Sequence, residues 1–303
     1  MMIDKNLLLP DNFFELERCD TFGDYSRMYG DQIAEKFEDL NIIYIPYFPL
    51  DFDINLFQSV LFPEELAKIG TKNGLDKSVI VRDQKGLSFD ANHVLNKISE
   101  SGKISSYFQH QISSVNYQIR MAMRYLFPKY FTLLEGNITW RLTPTNGDGL
   151  HFDYYHNSNG RPEIIDKSEK NLNKIKLFIN IDSEPRVWWT SRNLIDFITI
   201  EKNKLPNSLP DDINLLNSYI STKVLNLNYP YHEIRYPQLS AILFNSEAVS
   251  HHIVSGSRAI DAQFAGVQSD MINPEKIIYN KLSKSINDNG FKVAINSTLD
   301  HFL

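Results

Sequence analysis

Gly149-Leu150-His151-Phe152-Asp153-Tyr154-Tyr155 and, about a hundred residues on, Val249-Ser250-His251-His252-Ile253-Val254-Ser255-Gly256-Ser257-Arg258 decide the fold. On a β-strand the side chains of residues i and i+2 leave the same face, so His151 and Asp153 can reach one metal ion while Leu150 and Phe152 pack behind them. A histidine from a second strand completes a face of three ligands. An isolated His-x-Asp is a weak signal. Its weight rises because the later segment supplies a strand, a histidine, a turn glycine and an arginine in that order. Adjacent strand residues point to opposite faces, so either His251 or His252 can be the distal ligand until the register is known.

Two imidazoles and one carboxylate on one face, with open positions opposite, is the ligand pattern of non-haem Fe(II) oxygenases. On a six-coordinate iron it leaves three sites, two for a 2-oxo acid and one for O2. Asp153 also bears on the outcome. An iron halogenase lacks the carboxylate so that chloride can bind, and this chain keeps it, which directs the expectation to hydroxylation.

Composition sets the bounds. With 303 residues, 42% hydrophobic and 12% aromatic, the chain can bury a sizeable core as one embellished domain or two closely packed lobes. A net charge of -6 argues against nucleic acid as partner. The single cysteine, Cys19, excludes an internal disulfide framework and fits a reducing cytoplasm. The apolar patch near the N-terminus is too short, and too acidic in its flanks, for a signal peptide, and no apolar run approaches the ~20 residues that span a bilayer.

Along the chain, Ile33, Phe37 and Leu40 fall at helical spacing, and Ile42-Ile43-Tyr44-Ile45-Pro46 reads as a short strand. Phe108, Ile112, Val115, Ile119, Ala122 and Leu126 follow one helical face until Phe127-Pro128 stops it. A strand-rich half begins near Asn137. In the stretch from Ile175 to Asp182, Ile175, Leu177, Ile179 and Ile181 share one face, and Lys176, Phe178, Asn180 and Asp182 share the other. That alternation predicts a strand packed on helices and lining something more polar. Residues 183–237 read as an insertion with helices around 191–202 and 211–224. Its edges are rich in aromatics and arginines, which suits a ligand-covering lid or an anchor to the core. Strands return at Leu239–Val249 and Arg258–Val267, and the tail reads as a helix with a loosely placed end.

The fold class expected is α+β: a double-stranded β-helix (jelly-roll, cupin-like) core with an N-terminal helical region and a helical insertion. Residues 1–136 form the mostly helical region, 137–270 the core and 271–303 the tail. A 2-oxo acid chelates the metal through its keto acid end, leaving its far carboxylate to a cation. Arg258 is the first choice, because it shares a face with Ile260, Ala262 and Phe264 and its planar fork matches a carboxylate. Lys176 is the second, and Asn180 on the same face as Lys176 is placed to hydrogen-bond a metal-bound ligand.

Leu150-His151-Phe152-Asp153, then Lys176-Leu177-Phe178-Ile179-Asn180-Ile181 with Pro185-Arg186-Val187-Trp188, then Val249-Ser250-His251 with Gly256 and the run to Phe264, resemble the motifs of the bacterial Kdo hydroxylases. The resemblance covers about residues 40 to 303. Pro-Arg-Val-Trp is its most telling part, since generic oxygenases do not share it. It implies an Fe(II)/2-oxoglutarate dioxygenase, supported by ascorbate as reductant, that hydroxylates the 3-deoxy-D-manno-octulosonic acid (Kdo) sugar of lipid A precursors. That reaction belongs to lipopolysaccharide inner-core synthesis, in the cytoplasm or peripherally at the cytoplasmic face of the inner membrane. By the same resemblance His251 is favoured over His252, and Arg186, Trp188, Tyr155 and Arg235 are turned to the acceptor sugar. The loop before His151, Lys176 in place of an arginine, Trp189 and the doubled histidine depart from the family pattern and bear on the exact sugar. Two other readings stand beside this one: a 2-oxoglutarate hydroxylase of another small molecule or protein side chain, and a non-catalytic jelly-roll module that binds an acidic sugar. A zinc hydrolase using His151, Asp153 and His156 is the weakest option, because His156 falls on the opposite strand face.

Overall fold

Leu172–Asn180 is buried at every position, and its alternation serves two cores at once. Ile175, Leu177 and Ile179 join one apolar cluster, and Phe178 joins another. A strand covered on both faces is the centre of a layered domain. The structure, a computed structural model, describes residues 10–59, 79–83, 102–141, 149–154, 170–225 and 229–294.

In chain order the strands are β1 (Phe13–Glu15), β2 (Ile42–Ile45), β3 (Val79–Asp83), β4 (Leu133–Arg141), β5 (Leu172–Asn180), β6 (Arg186–Asn193), β7 (Ser208–Leu209), β8 (His232–Tyr236), β9 (Ala241–Phe244), β10 (Val249–Ser255), β11 (Ala259–Val267) and β12 (Lys292–Val293). Seven of them form one sheet in the order β1-β2-β9-β5-β11-β4-β3, and β10-β6-β8 form a second. β7 and β12 make a small parallel pair at one side. The long strand β11 ties the large sheet together, pairing antiparallel with β5 and β4 so that Ile260 lies opposite both Ile179 and Trp140. Between the two sheets sit Tyr44, Phe178, Trp188, Ile234, Tyr236, Ile242, Phe244 and Ile253. This is a jelly-roll core with helices added, the α+β architecture expected.

Helices cover the outer face of the large sheet. Gly102–Leu126 applies Ile112, Val115, Ile119, Ala122 and Leu126 to it at steps of three and four residues. Phe22–Tyr29 begins at Thr21, whose hydroxyl accepts the Asp24 amide at 3.1 Å. Trp140, fully buried, stacks on Phe57 at 4.7 Å and donates its indole N–H to Asn116 at 2.9 Å. The N-terminal third also supplies β1, β2 and β3 to the large sheet.

The buried Glu38 carboxylate pins the start of the C-terminal segment by accepting from the Ile272 and Asn273 amides at 2.7 and 2.9 Å and from the Tyr130 hydroxyl at 3.0 Å. The Tyr130 ring crosses Gly266 so closely that a β-carbon there would lie 2.4 Å from it. Gly266→Ala is therefore expected to destabilise the protein by about 1–3 kcal/mol through overpacking, seen as a lower denaturation midpoint.

Two expectations need correction. The strand expected over 239–249 is broken into β9 and β10 by a turn in which the Asn245 side chain accepts the amides of Glu247 and Ala248 at 3.0 and 3.2 Å. The arginines and tryptophans at the edges of 183–237 do not form a lid, because both ends of that stretch are strands of the second sheet, β6 and β8. Arg186, Trp188 and Thr190 alternate into the interior. A charged residue on the inward face hid that period. Between these strands come helices Leu194–Ile200 and Ile213–Tyr219, the latter running on as a π turn, Ile220–Val224. With helix Ile278–Asp288 they build a third apolar cluster that takes in Phe152. Among the described residues no helix is long and apolar enough to cross a membrane.

Candidate metal centre

His151 and Asp153 lie on a short extended segment held to β10 by one isolated bridge. The His151 amide donates to the His251 carbonyl at 3.0 Å, and the His251 amide donates back at 2.7 Å. Gly149, at φ 91°, turns the chain into this segment with a backbone that L side chains rarely adopt. As period two requires, Phe152 points away into the helical cluster while His151 and Asp153 point inward.

One donor atom each from His151, Asp153 and His251 falls within 4.8 Å of the others. Asp153 Oδ1 is 3.5 Å from His251 Nε2 and 3.7 Å from His151 Nε2. These separations are close to the ~3 Å between adjacent ligands on a metal with bonds of about 2.1 Å. Each imidazole ties its Nδ1 to a carbonyl two residues back, Gly149 O at 2.8 Å and Val249 O at 3.1 Å. Such a bond fixes the tautomer that leaves Nε2 free to ligate. His251 Nε2 is buried and has no hydrogen-bond partner among the described residues, so a metal ion suits it. The second carboxylate oxygen, Asp153 Oδ2, accepts from Lys176 Nζ at 2.8 Å.

The charges suit a cation as well. Burial by itself would raise the Asp153 carboxyl, but the Lys176 ammonium and then the two imidazoles hold it well below the usual carboxylate range. Burial, followed by the neighbouring His251, pushes His151 down to about 4. Both side chains therefore present lone pairs at neutral pH. For the metal-free protein this has a sign. Between the ordinary histidine value of 6.5 and about 4, the unfolded chain takes up a proton at position 151 that the folded chain refuses. Stability is expected to fall as pH drops through that window, and His151→Gln to flatten that part of a curve of denaturation midpoint against pH.

In fold the chain resembles the Kdo hydroxylase KdoO. A structure of that protein, a non-haem Fe(II) alphaketoglutarate-dependent dioxygenase in complex with succinate and Fe(III), matches with TM-score 0.60 at 15% identity over 91% of this chain and 96% of its own. The cobalt(II) complex gives 0.61 at 15% identity over 95% and 98%. The complex with alphaketoglutarate and Fe(III) gives 0.60 at 14% identity over 94% and 98%. At this identity the likeness is one of fold. No family model matches the chain, and no curated protein matches it by sequence.

The other candidate residues are distributed less simply. His252 faces away from Asp153: its Nδ1 accepts the Gly149 amide at 3.0 Å, and its ring lies 5.5 Å from Trp189. Arg258 does not reach the interior. It does share a side with Ile260, Ala262 and Phe264, but that side meets the helices, and its guanidinium donates to the carbonyls of Phe57 and Gln58 at 2.9 and 3.2 Å. Lys176 does face the interior, where Asp153 engages it. Asn180 is occupied by backbone, donating to the carbonyls of Glu184 and Tyr236 at 2.9 and 3.1 Å and accepting the Asp182 amide at 3.0 Å. Arg235 is exposed on the outer side of β8 and paired with Glu233 at 2.7 Å. Tyr155 and His156 lie outside the described residues.

Arg186 and Trp188 are both fully buried between the sheets. The Trp188 ring lies 6.3 Å from His251. None of the three guanidinium nitrogens of Arg186 has a hydrogen-bond partner among the described residues. Burial lowers its pKa, with the Tyr236 hydroxyl, Arg141, Asp261 and Asp182 as electrostatic neighbours. Arg141 itself pairs with Asp261 at 3.0 Å. A buried guanidinium faced by the Tyr236 hydroxyl, and by an Asp261 already paired with Arg141, is incompletely neutralised, so an anion suits this position.

Sequence reasoning missed Arg141, Asp261 and Asn217. The first two could have been found by strand parity, since Arg141 follows Trp140 on the face opposite the outer core and Asp261 alternates with Ile260 and Ala262. Asn217 carries no such signal, being one polar residue on an amphipathic helix.

Proposed function

We propose that the protein is an Fe(II)/2-oxoglutarate-dependent dioxygenase that hydroxylates the Kdo sugar of a lipid A precursor. The observation that carries the oxygenase reading is the convergence of His151, Asp153 and His251, with both Nε2 atoms and one carboxylate oxygen aimed at a common point inside a jelly roll. These three side chains would hold the iron, which with a 2-oxo acid supplies the activation of dioxygen needed to turn C–H into C–OH. Asp153 fills the position that a halide would need.

The far carboxylate of 2-oxoglutarate is assigned to Arg186, displacing Arg258 and Lys176, because Arg186 alone of the three is fully buried between the sheets with its nitrogens unengaged among the described residues. Its planar fork suits a bidentate carboxylate. Trp188 lies between Arg186 and the His251 pairing on β6, and with Phe178 and Phe244 it keeps water from this side of the centre. Gly256, at φ 128°, allows the close approach of Arg186, whose Cγ and Nη1 would lie 2.9 Å from a β-carbon there.

The Kdo acceptor rests on the Pro185-Arg186-Val187-Trp188 motif and on the fold shared with a Kdo hydroxylase. An acceptor of this kind places the enzyme at the cytoplasmic face of the inner membrane as a peripheral protein. The test is incubation with Fe(II), 2-oxoglutarate, ascorbate and a Kdo-containing lipid, following succinate and product mass together. Succinate with one oxygen gained on the inner-core sugar is expected. Succinate with no gain on the sugar would transfer the reading to another acceptor, and no succinate with any acceptor would favour a sugar-binding module.

A further inference from the structure

The segment that carries two of the three candidate ligands is weakly embedded in the sheets. Among the described residues His151 has one isolated bridge, and Asp153 adds one backbone bond, its amide to the Ser246 carbonyl at 2.9 Å. Besides the Gly149 amide on His252 and the Lys176–Asp153 pair, support comes from the inserted helix Ile213–Tyr219 and its π turn. Asn217, fully buried, donates both amide protons to backbone carbonyls, Asp153 O at 2.9 Å and Glu247 O at 2.8 Å. Those carbonyls belong to the two stretches that must meet: one is that of a ligand, the other lies four residues before His251. One turn later, Ser221 Oγ accepts the Phe152 amide at 3.0 Å and lies 3.4 Å from the Phe152 carbonyl. Phe152 is buried among the same helices and meets Phe197 edge to face at 6.2 Å.

The Asn217 and Ser221 contacts touch only backbone, at Phe152, Asp153 and Glu247. The changeover from α to π geometry falls between the two side chains, and the wider turn is closed by the Leu225 amide on the Ile220 carbonyl at 2.9 Å. π turns inside helices occur frequently at functional sites. We propose that Asn217 and Ser221 are positioning residues, a clamp by which the inserted helix fixes the separation of Asp153 and His251 and so sets the affinity and geometry of the metal centre. The insertion is thereby part of the centre's construction. This inference rests on the metal-binding reading given above.

The test uses the full chain and Co(II) as probe. Groups that orient ligands typically change metal affinity by about 10–100-fold when removed. Ser221→Ala and Asn217→Ala are expected to weaken Co(II) binding by roughly that factor and to alter the Co(II) visible spectrum, which reports ligand arrangement. Ser221→Thr, which keeps the hydroxyl, is expected to restore both. The melting temperature of each metal-free variant separates this from a general loss of packing. A Ser221→Ala protein that melts lower yet binds Co(II) with wild-type affinity and spectrum would overturn the clamp, and because serine to alanine removes one oxygen, this variant carries the test even if Asn217→Ala fails to fold. Wild-type protein that takes up no Co(II) would remove the metal reading and the clamp with it. Wild-type binding matched by both alanine variants would remove the clamp alone.

Discussion

His251→Ala is expected to abolish metal-induced stabilisation and, because its ring is buried against Phe178, Trp188 and Phe244, to lower the metal-free stability as well. A ligand at 100 times its dissociation constant stabilises a protein by about 2.7 kcal/mol, so Co(II) or anaerobic Fe(II) should raise the melting temperature of the wild type measurably. His251 supplies Nε2 to the centre, and the bonds that seat its strand are made by backbone. Its alanine variant should bind metal more than about 100-fold weaker, show no thermal shift and release no succinate. Asp153→Ala is expected to lose metal for the same reason and stability for another. It removes a ligand and also takes from Lys176 its hydrogen-bonded carboxylate, leaving Asp261 as the other acidic neighbour, with both side chains of the pair largely buried. Breaking a buried pair from one side costs about 3–5 kcal/mol, so this variant should lose metal and also unfold at lower denaturant. An Asp153→Ala protein as stable as the wild type without metal would contradict the Lys176–Asp153 pairing.

Arg186→Met is expected to move stability and activity in opposite directions. The guanidinium is fully buried and only partly compensated by Tyr236, Asp261 and Asp182, so an apolar side chain of similar length relieves part of its desolvation. The metal-free protein should melt about 2–4 °C higher for each kcal/mol relieved. Loss of a bidentate charge-assisted contact should weaken 2-oxoglutarate by roughly 100-fold, on the order of 3 kcal/mol. Metal-induced stabilisation should persist, because Arg186 is not among the metal-facing donors. The measurement is a pair of titrations, Co(II) alone and then 2-oxoglutarate in the presence of Co(II). Unchanged 2-oxoglutarate affinity would return the co-substrate to another cation, with Arg141 the first to examine.

Legibility followed periodicity. The helix Gly102–Leu126 and the strand Leu172–Asn180 were readable because their apolar residues recur at helical and alternate spacing, and the cores that form use those faces. His151, Asp153 and the segment holding His251 were readable because period two puts His-x-Asp on one side. Choosing between His251 and His252 needed pairing register, which a single strand does not encode. Arg258 shows the opposite failure. Its parity with Ile260, Ala262 and Phe264 is correct, but a strand covered on both sides offers two interiors, and parity does not say which one holds the ligand. Arg186 was mistaken for a lid residue for a related reason: a strand with arginine on its inward face does not alternate between apolar and polar. Contacts made by side chains to distant backbone, as by Asn217 and Ser221, leave no local pattern at all.

The reciprocal amide bonds between His151 and His251 join the two backbones from which the imidazoles project. Opening that pair of bonds would part the two backbones together, so the spacing of the two candidate ligands is set by one link shared between them.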